Sequence, residues 1–243
     1  MIFHNINQYS PDWYTKRAGI PTASQFDKIL TKTGKLSSQA DDYANKLIAE
    51  LFLNRPIEQN FTAYALEWGH EYEKQAVECY QLETGYNVKL GGFFTTDNGL
   101  IGASPDGRIF ENGQMVGICE IKCPANPAIH VKHLLLNEMN DVYRPQVQGQ
   151  LLVSDCEWSD WYTYHPEIPS GRMRVYRDEE YIKLLDDALT QFLELMERKK
   201  ERLIELGIAQ QLGQFKIDPI EKQEEKPAYD KEFMDALYGG EKC

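Results

Sequence analysis

The chain has 243 residues, 42% of them hydrophobic and 26% charged, which is ordinary for a soluble globular protein and suits one large domain, with or without a tail. Its net charge of −12 has the wrong sign for a general nucleic-acid binder, so any DNA contact must rest on a local patch. No apolar run approaches the roughly 18 residues that span a membrane, and Met1-Ile2-Phe3-His4-Asn5 lacks the basic and apolar regions of a signal peptide.

From the N-terminus, residues 12–36 read as a loop and a short helix, with Ser24 and Asp27 spaced as a capping box. Ala44, Leu47, Ile48 and Leu51 recur at helical spacing and predict a helix over 38–54. A second helix is predicted over 60–84, closed by Gly85. Short strands follow near 86–96, 100–110 and 115–122, then helices at about 128–139 and 142–153. Trp158 to His165 reads as a strand, and 178–206 as a long amphipathic helix. Helices flanking a short mixed sheet make an α/β domain over 1–210. Residues 211–243 read as a partly extended or mobile tail, with a short helix at 228–238.

Five scattered cysteines, Cys79, Cys119, Cys123, Cys156 and Cys243, argue against a disulfide framework and fit a reducing compartment, here the cytoplasm. Cys119 and Cys123 have no second pair to complete a zinc site.

The informative segment runs from Ser104-Pro105-Asp106-Gly107 to Glu120-Ile121-Lys122, with the turn signal Asn112-Gly113 between. A two-residue turn would put Asp106 opposite Cys119. A three-residue turn with Gly113 in the left-handed region puts Asp106 opposite Glu120, about 5 Å away between Cβ atoms. The second register also places Lys122 on the face of Glu120 and turns Cys119, Ile121 and Cys123 to the core. It is the favoured one, though a bulge would achieve the same. Two close carboxylates repel unless a cation lies between them, and oxygen ligands suit Mg²⁺ or Mn²⁺. An adjacent lysine can hold water or neutralise charge on a phosphate.

Asp106…Glu120-Ile121-Lys122 resembles the signature of the PD-(D/E)xK nucleases. More narrowly, the chain resembles the phage lambda-type alkaline exonucleases of viral recombination systems. The matching stretches are Arg17-Ala18-Gly19-Ile20-Pro21-Thr22-Ala23-Ser24, Trp68-Gly69-His70-Glu71-Tyr72-Glu73, Ser104-Pro105-Asp106-Gly107, Glu120-Ile121-Lys122-Cys123-Pro124 and Tyr143-Arg144-Pro145-Gln146-Val147-Gln148, in that order. The resemblance implies a 5′→3′ exonuclease on double-stranded DNA that uses two Mg²⁺ ions. It implies a ring-shaped homotrimer, a single-strand annealing partner and a bacterial or prophage setting. It assigns catalysis to Asp106, Glu120, Lys122, Glu73 and Gln146. Metal would be held by Asp106, Glu120, Glu73 and the Ile121 carbonyl, and the 5′-phosphate by Arg17, Ser24, Ser104 and Gln146.

The residues themselves support part of this. Glu73 projects from an apolar stripe with Ala76, Val77 and Tyr80, where an acid needs a partner, whereas Glu71 lies on a charged face. Gln146 shares a helix face with Tyr143, Val147 and Gln150. Asp97 stands one residue nearer to Asp106 than in the family pattern, and Gln148 is a weaker candidate than Gln146. His70, His130, His133 and His165 show no ligand spacing and read as structural. Two other functions compete: a structure-specific endonuclease of the junction-resolvase type, and a non-catalytic DNA-end-binding module. The intact Asp106, Glu120 and Lys122 argue against the module.

Overall fold

The structure, a computed structural model, describes residues 1–57 and 63–208. In chain order it has β1 (Ile2–His4), α1 (Pro11–Arg17), a 3-10 helix (Ala23–Lys28), α2 (Ala40–Leu53) and α3 (Ala63–Thr84). Five strands follow: β2 (Asn87–Leu90), β3 (Phe93–Thr95), β4 (Gly102–Ala103), β5 (Gly107–Glu111) and β6 (Gln114–Lys122). Then come α4 (Pro127–Leu136), α5 (Arg144–Ser154), β7 (Trp158–His165), β8 (Ile168–Tyr176) and α6 (Glu179–Glu205). The expected tail over 211–243 lies outside the described residues. No described helix is long and apolar enough to cross a membrane.

The main sheet is mixed, in the order β2-β5-β6-β7-β8, with only the β6–β7 pair parallel. One face packs Cys119, Ile121 and Tyr162 against Ala76, Val77 and Tyr80 of α3. The other packs Ile118 and Trp161 against Val147 and Leu151 of α5. A smaller antiparallel sheet, β1-β3-β4, joins the 3-10 helix, α2 and α6 around a third core. The α/β architecture and the long helices are those the periodicity predicts.

Two local expectations fail. Ser24 is not a helix cap: the capping position belongs to Thr22, without a side-chain bond, and Ser24 lies inside the 3-10 helix. The cap that forms is Ser10, which accepts from the Trp13 amide at 3.3 Å, with Pro11 beginning α1. Strand β8 has no counterpart in the sequence reading, because Ile168–Tyr176 lacks a clean apolar alternation and is ordered by pairing with β7.

The β5–β6 hairpin reaches the favoured register by the other route. Asn112 (φ 50°) and Gly113 (φ 83°) form a two-residue turn with both residues left-handed. Next to it Glu111 pairs with Gln114 and Phe110 with Met115. The ladder then slips by one residue at a bulge, so that Ile109 pairs with Gly117 and Gly107 with Cys119. One step further Asp106 comes level with Glu120.

Candidate active site

Glu120 is 2% exposed on the α5 face of the main sheet. Gln146 donates to its Oε1 and Gln150 to its Oε2, each at 2.5 Å, and the ammonium of Lys122 also bonds Oε1. Half-buried Asp106 accepts the Ile121 amide at 2.7 Å, which ties the start of β5 to the end of β6. Gly107 follows because of crowding: a Cβ there would meet Cys119 Sγ at 2.5 Å and Val88 Cγ1 at 2.6 Å. Glu73 reaches the same centre from α3, on the inward stripe above Ala76, Val77 and Tyr80.

These groups feel one another's charge. Burial first, then the charges of Glu120 and Glu73, push Asp106 well above the usual carboxylate range. Burial and Glu120 likewise raise Glu73, opposed by Lys122 and a hydrogen bond from Tyr9. Burial would lower Lys122, but Glu120 and Asp106 outweigh it and hold the ammonium above the ordinary lysine range. Three acids against one lysine leave an excess of negative charge. This set of hard oxygen donors fits a divalent cation in its chemistry. Among the described residues no three His, Cys, Asp or Glu side chains already stand in a metal-binding arrangement. The Glu120 oxygens are drawn to Lys122 and the two glutamines.

The phosphate-binding candidates lie nearby. Arg17 stacks over Trp13, 4.1 Å from the ring centroid, and its Nη2 lies 3.4 Å from Thr22 Oγ1 and 3.5 Å from exposed Ser24 Oγ. Ser104 departs from the sequence reading. Its hydroxyl donates to Gly92 O at 2.9 Å and accepts from Trp13 Nε1 and Gln8 Nε2, both at 3.0 Å. No proton is left for a phosphate, so Ser104 instead anchors α1 beside Asp106.

Other candidates fall away from the centre. Gln148 bridges Tyr176 O and the Asp178 amide, both at 2.9 Å, at the start of α6. Asp97 pairs with the N-terminal ammonium at 2.7 Å on the surface. His130 and His133 both approach Thr163 Oγ1 in the core, and His165 receives the Glu167 amide, as structural histidines do. The His70 side chain lies outside the described residues. Cys119, raised by burial, is an inert core thiol, and the described cysteines are free.

Sequence reasoning missed three contributors: Gln150, Tyr143, whose ring centroid is 5.2 Å from Lys122 Nζ, and Tyr9. The signal for Gln150 was its position one helical turn after Gln146.

An α/β sheet with helices on both faces and a carboxylate–lysine centre at its β5–β6 hairpin is the nuclease-like architecture of viral recombination proteins. Residues 12–157 match the YqaJ-like viral recombinase domain, and the chain belongs to that family. An alkaline exonuclease from Laribacter hongkongensis is similar at 26% identity, with a TM-score of 0.72, over 82% of this chain and 98% of that one. The same exonuclease in complex with dAMP gives 27% and 0.69, over 81% and 100%. A phage related exonuclease from Haemophilus somnus, at 17% identity and a TM-score of 0.59 over 76% and 96%, shares the fold. No curated protein matches the chain.

Proposed function

We propose that the chain is a metal-dependent 5′→3′ exonuclease that degrades one strand of duplex DNA from its end and leaves a 3′ overhang for single-strand annealing. The observation that carries this reading is the convergence of Glu73, Asp106 and Glu120 on one centre beside Lys122 and Gln146. The similarity to an alkaline exonuclease over 82% of the chain supports the reaction class.

Asp106, Glu120, Glu73 and the Ile121 carbonyl would hold Mg²⁺, or Mn²⁺ in its place, with two ions in the family's manner. Such ions supply Lewis acidity and a nucleophilic hydroxide at neutral pH. The residues themselves orient and balance charge. Gln146 and Gln150 fix the plane of the Glu120 carboxylate. Lys122, kept charged by its neighbours, can neutralise a phosphate or hold the attacking water. Arg17 and Ser24 receive the 5′-phosphate, and Ser104 positions the start of β5. A homotrimeric ring that encircles the duplex would reconcile sustained degradation with the net charge of −12.

The test is digestion of linear duplex, each end labelled separately, with and without Mg²⁺. Mononucleotides released from the 5′ end only with metal are expected. Cleavage of closed or branched circles would favour the junction-resolving alternative. A 5′-phosphorylated duplex should be cut faster than a 5′-hydroxyl one, and Arg17→Ala should erase most of that difference. Equal slowing of both substrates would remove Arg17 from the phosphate pocket.

A further inference from the structure

Two amides grip the Glu120 carboxylate, and one of them is only half satisfied. Both Glu120 oxygens accept, so Gln150 must turn its NH2 group towards Oε2, and its own Oε1 points elsewhere. That oxygen is buried and finds no donor among the described residues. Ser154 Oγ, Ser159 Oγ and Trp161 Nε1 are likewise buried without a hydrogen-bond partner among the described residues. A buried serine late in a helix commonly returns its proton to the carbonyl four residues before, and Ser154 does not. Each such atom carries a desolvation penalty that native proteins relieve with a partner or with water.

The four atoms belong to one seam. Ser159 and Trp161 fall on the same face of β7, in register with Ile118 and Glu120 of β6. That face packs on α5 through Val147 and Leu151. Gln150 and Ser154 lie one helical turn apart on α5. Residues 155–157 turn α5 back into β7, which leaves Ser154 and Ser159 at the turn end and Gln150 and Trp161 at the Glu120 end. About 6 Å of helix and about 7 Å of strand separate the two ends, so the pairs stay level. Their chemistry is complementary: the Trp161 N–H only donates, Gln150 Oε1 only accepts, and the serine hydroxyls do both.

We propose that internal water occupies the seam between α5 and β7, accepting from Trp161 Nε1, bonding the Ser154 and Ser159 hydroxyls and donating to Gln150 Oε1. Ser154, Ser159 and Trp161 are thereby positioning residues: through water they hold Gln150, and through Gln150 the plane of the Glu120 carboxylate. That last link rests on the metal-dependent reading above, whereas the water itself does not.

Stability gives the first test, because its sign depends on the water. In a dry seam, Ser154→Ala or Ser159→Ala removes an unpartnered hydroxyl and should raise Tm. In a hydrated one, each removes a hydrogen bond and should lower Tm by about 3 °C in the full chain. A high-resolution crystal structure should show ordered water within hydrogen-bond reach of Gln150 Oε1 and both hydroxyls. Mn²⁺ affinity, read by calorimetry at a temperature where every variant is folded, should fall about threefold in Ser159→Ala and Trp161→Phe. A raised Tm in both serine variants, or a seam without water in the crystal, would overturn the proposal. A lowered Tm with unchanged Mn²⁺ affinity would overturn the positioning role. Failure of wild type to bind Mn²⁺ would sink the metal reading separately, and melting and crystallography would still decide the seam.

Discussion

Asp160 and Glu120 sit on adjacent strands, Asp160 paired with Cys119 and Glu120 with Trp161, yet they face opposite sides of the sheet. Both are almost fully buried. Around Asp160 the chemistry is balanced. Arg174 donates from Nε at 2.8 Å and Nη2 at 3.0 Å, and the Tyr80 hydroxyl donates at 2.7 Å. Around Glu120 it is not, because Glu73 and Asp106 add two acids and Lys122 is the cation that opposes them. A closed carboxylate holds strands together, whereas a centre with surplus negative charge is poised for a cation and a phosphate.

The sharpest break between the two is functional. Asp106→Asn should abolish nucleotide release, while its melting temperature in EDTA should be no lower than wild type, because a repelled charge has gone. A large loss of stability without metal would mean that Asp106 is structural. Asp160→Ala should do the reverse, destabilising the fold by about 3–5 kcal/mol in chemical denaturation by stranding Arg174 and Tyr80. A loss under 1 kcal/mol would show that water had already screened the pair. Lys122→Ala should slow single-turnover cleavage by about 10²-fold with little change in stability. The smallest effect is expected of Gln150→Ala, which removes one donor from Glu120 and should weaken Mn²⁺ binding about tenfold by calorimetry. Unchanged affinity would make Gln150 a packing residue.

Periodicity carried the helices α2 and α6, because each buries one face and writes that face into its spacing, whereas α5 and β7 are buried almost all round. The proposed centre was named from the sequence through the Asp106…Glu120-Ile121-Lys122 motif and its hairpin register, with Glu73 added by its helical phase and the family resemblance. The short pieces were not. The Ser24 motif failed as a cap because Thr22 occupies the capping position, and β8 exists because β7 offers it a ladder. The hairpin register beyond the turn was anticipated, but the structure reaches it through a two-residue turn and a bulge, and its ladder ends at Gly107 and Cys119.

The sequence by itself determined the class of domain and put Glu120 and Lys122 on one face of their strand, because these follow from local period and residue chemistry. Tertiary structure alone decided that Ser104 has no proton to spare and that Gln150 grips Glu120. Each of these depends on a hydrogen-bond partner that the chain brings near only by folding, 12 and 30 residues away along the sequence. No local pattern encodes such a meeting.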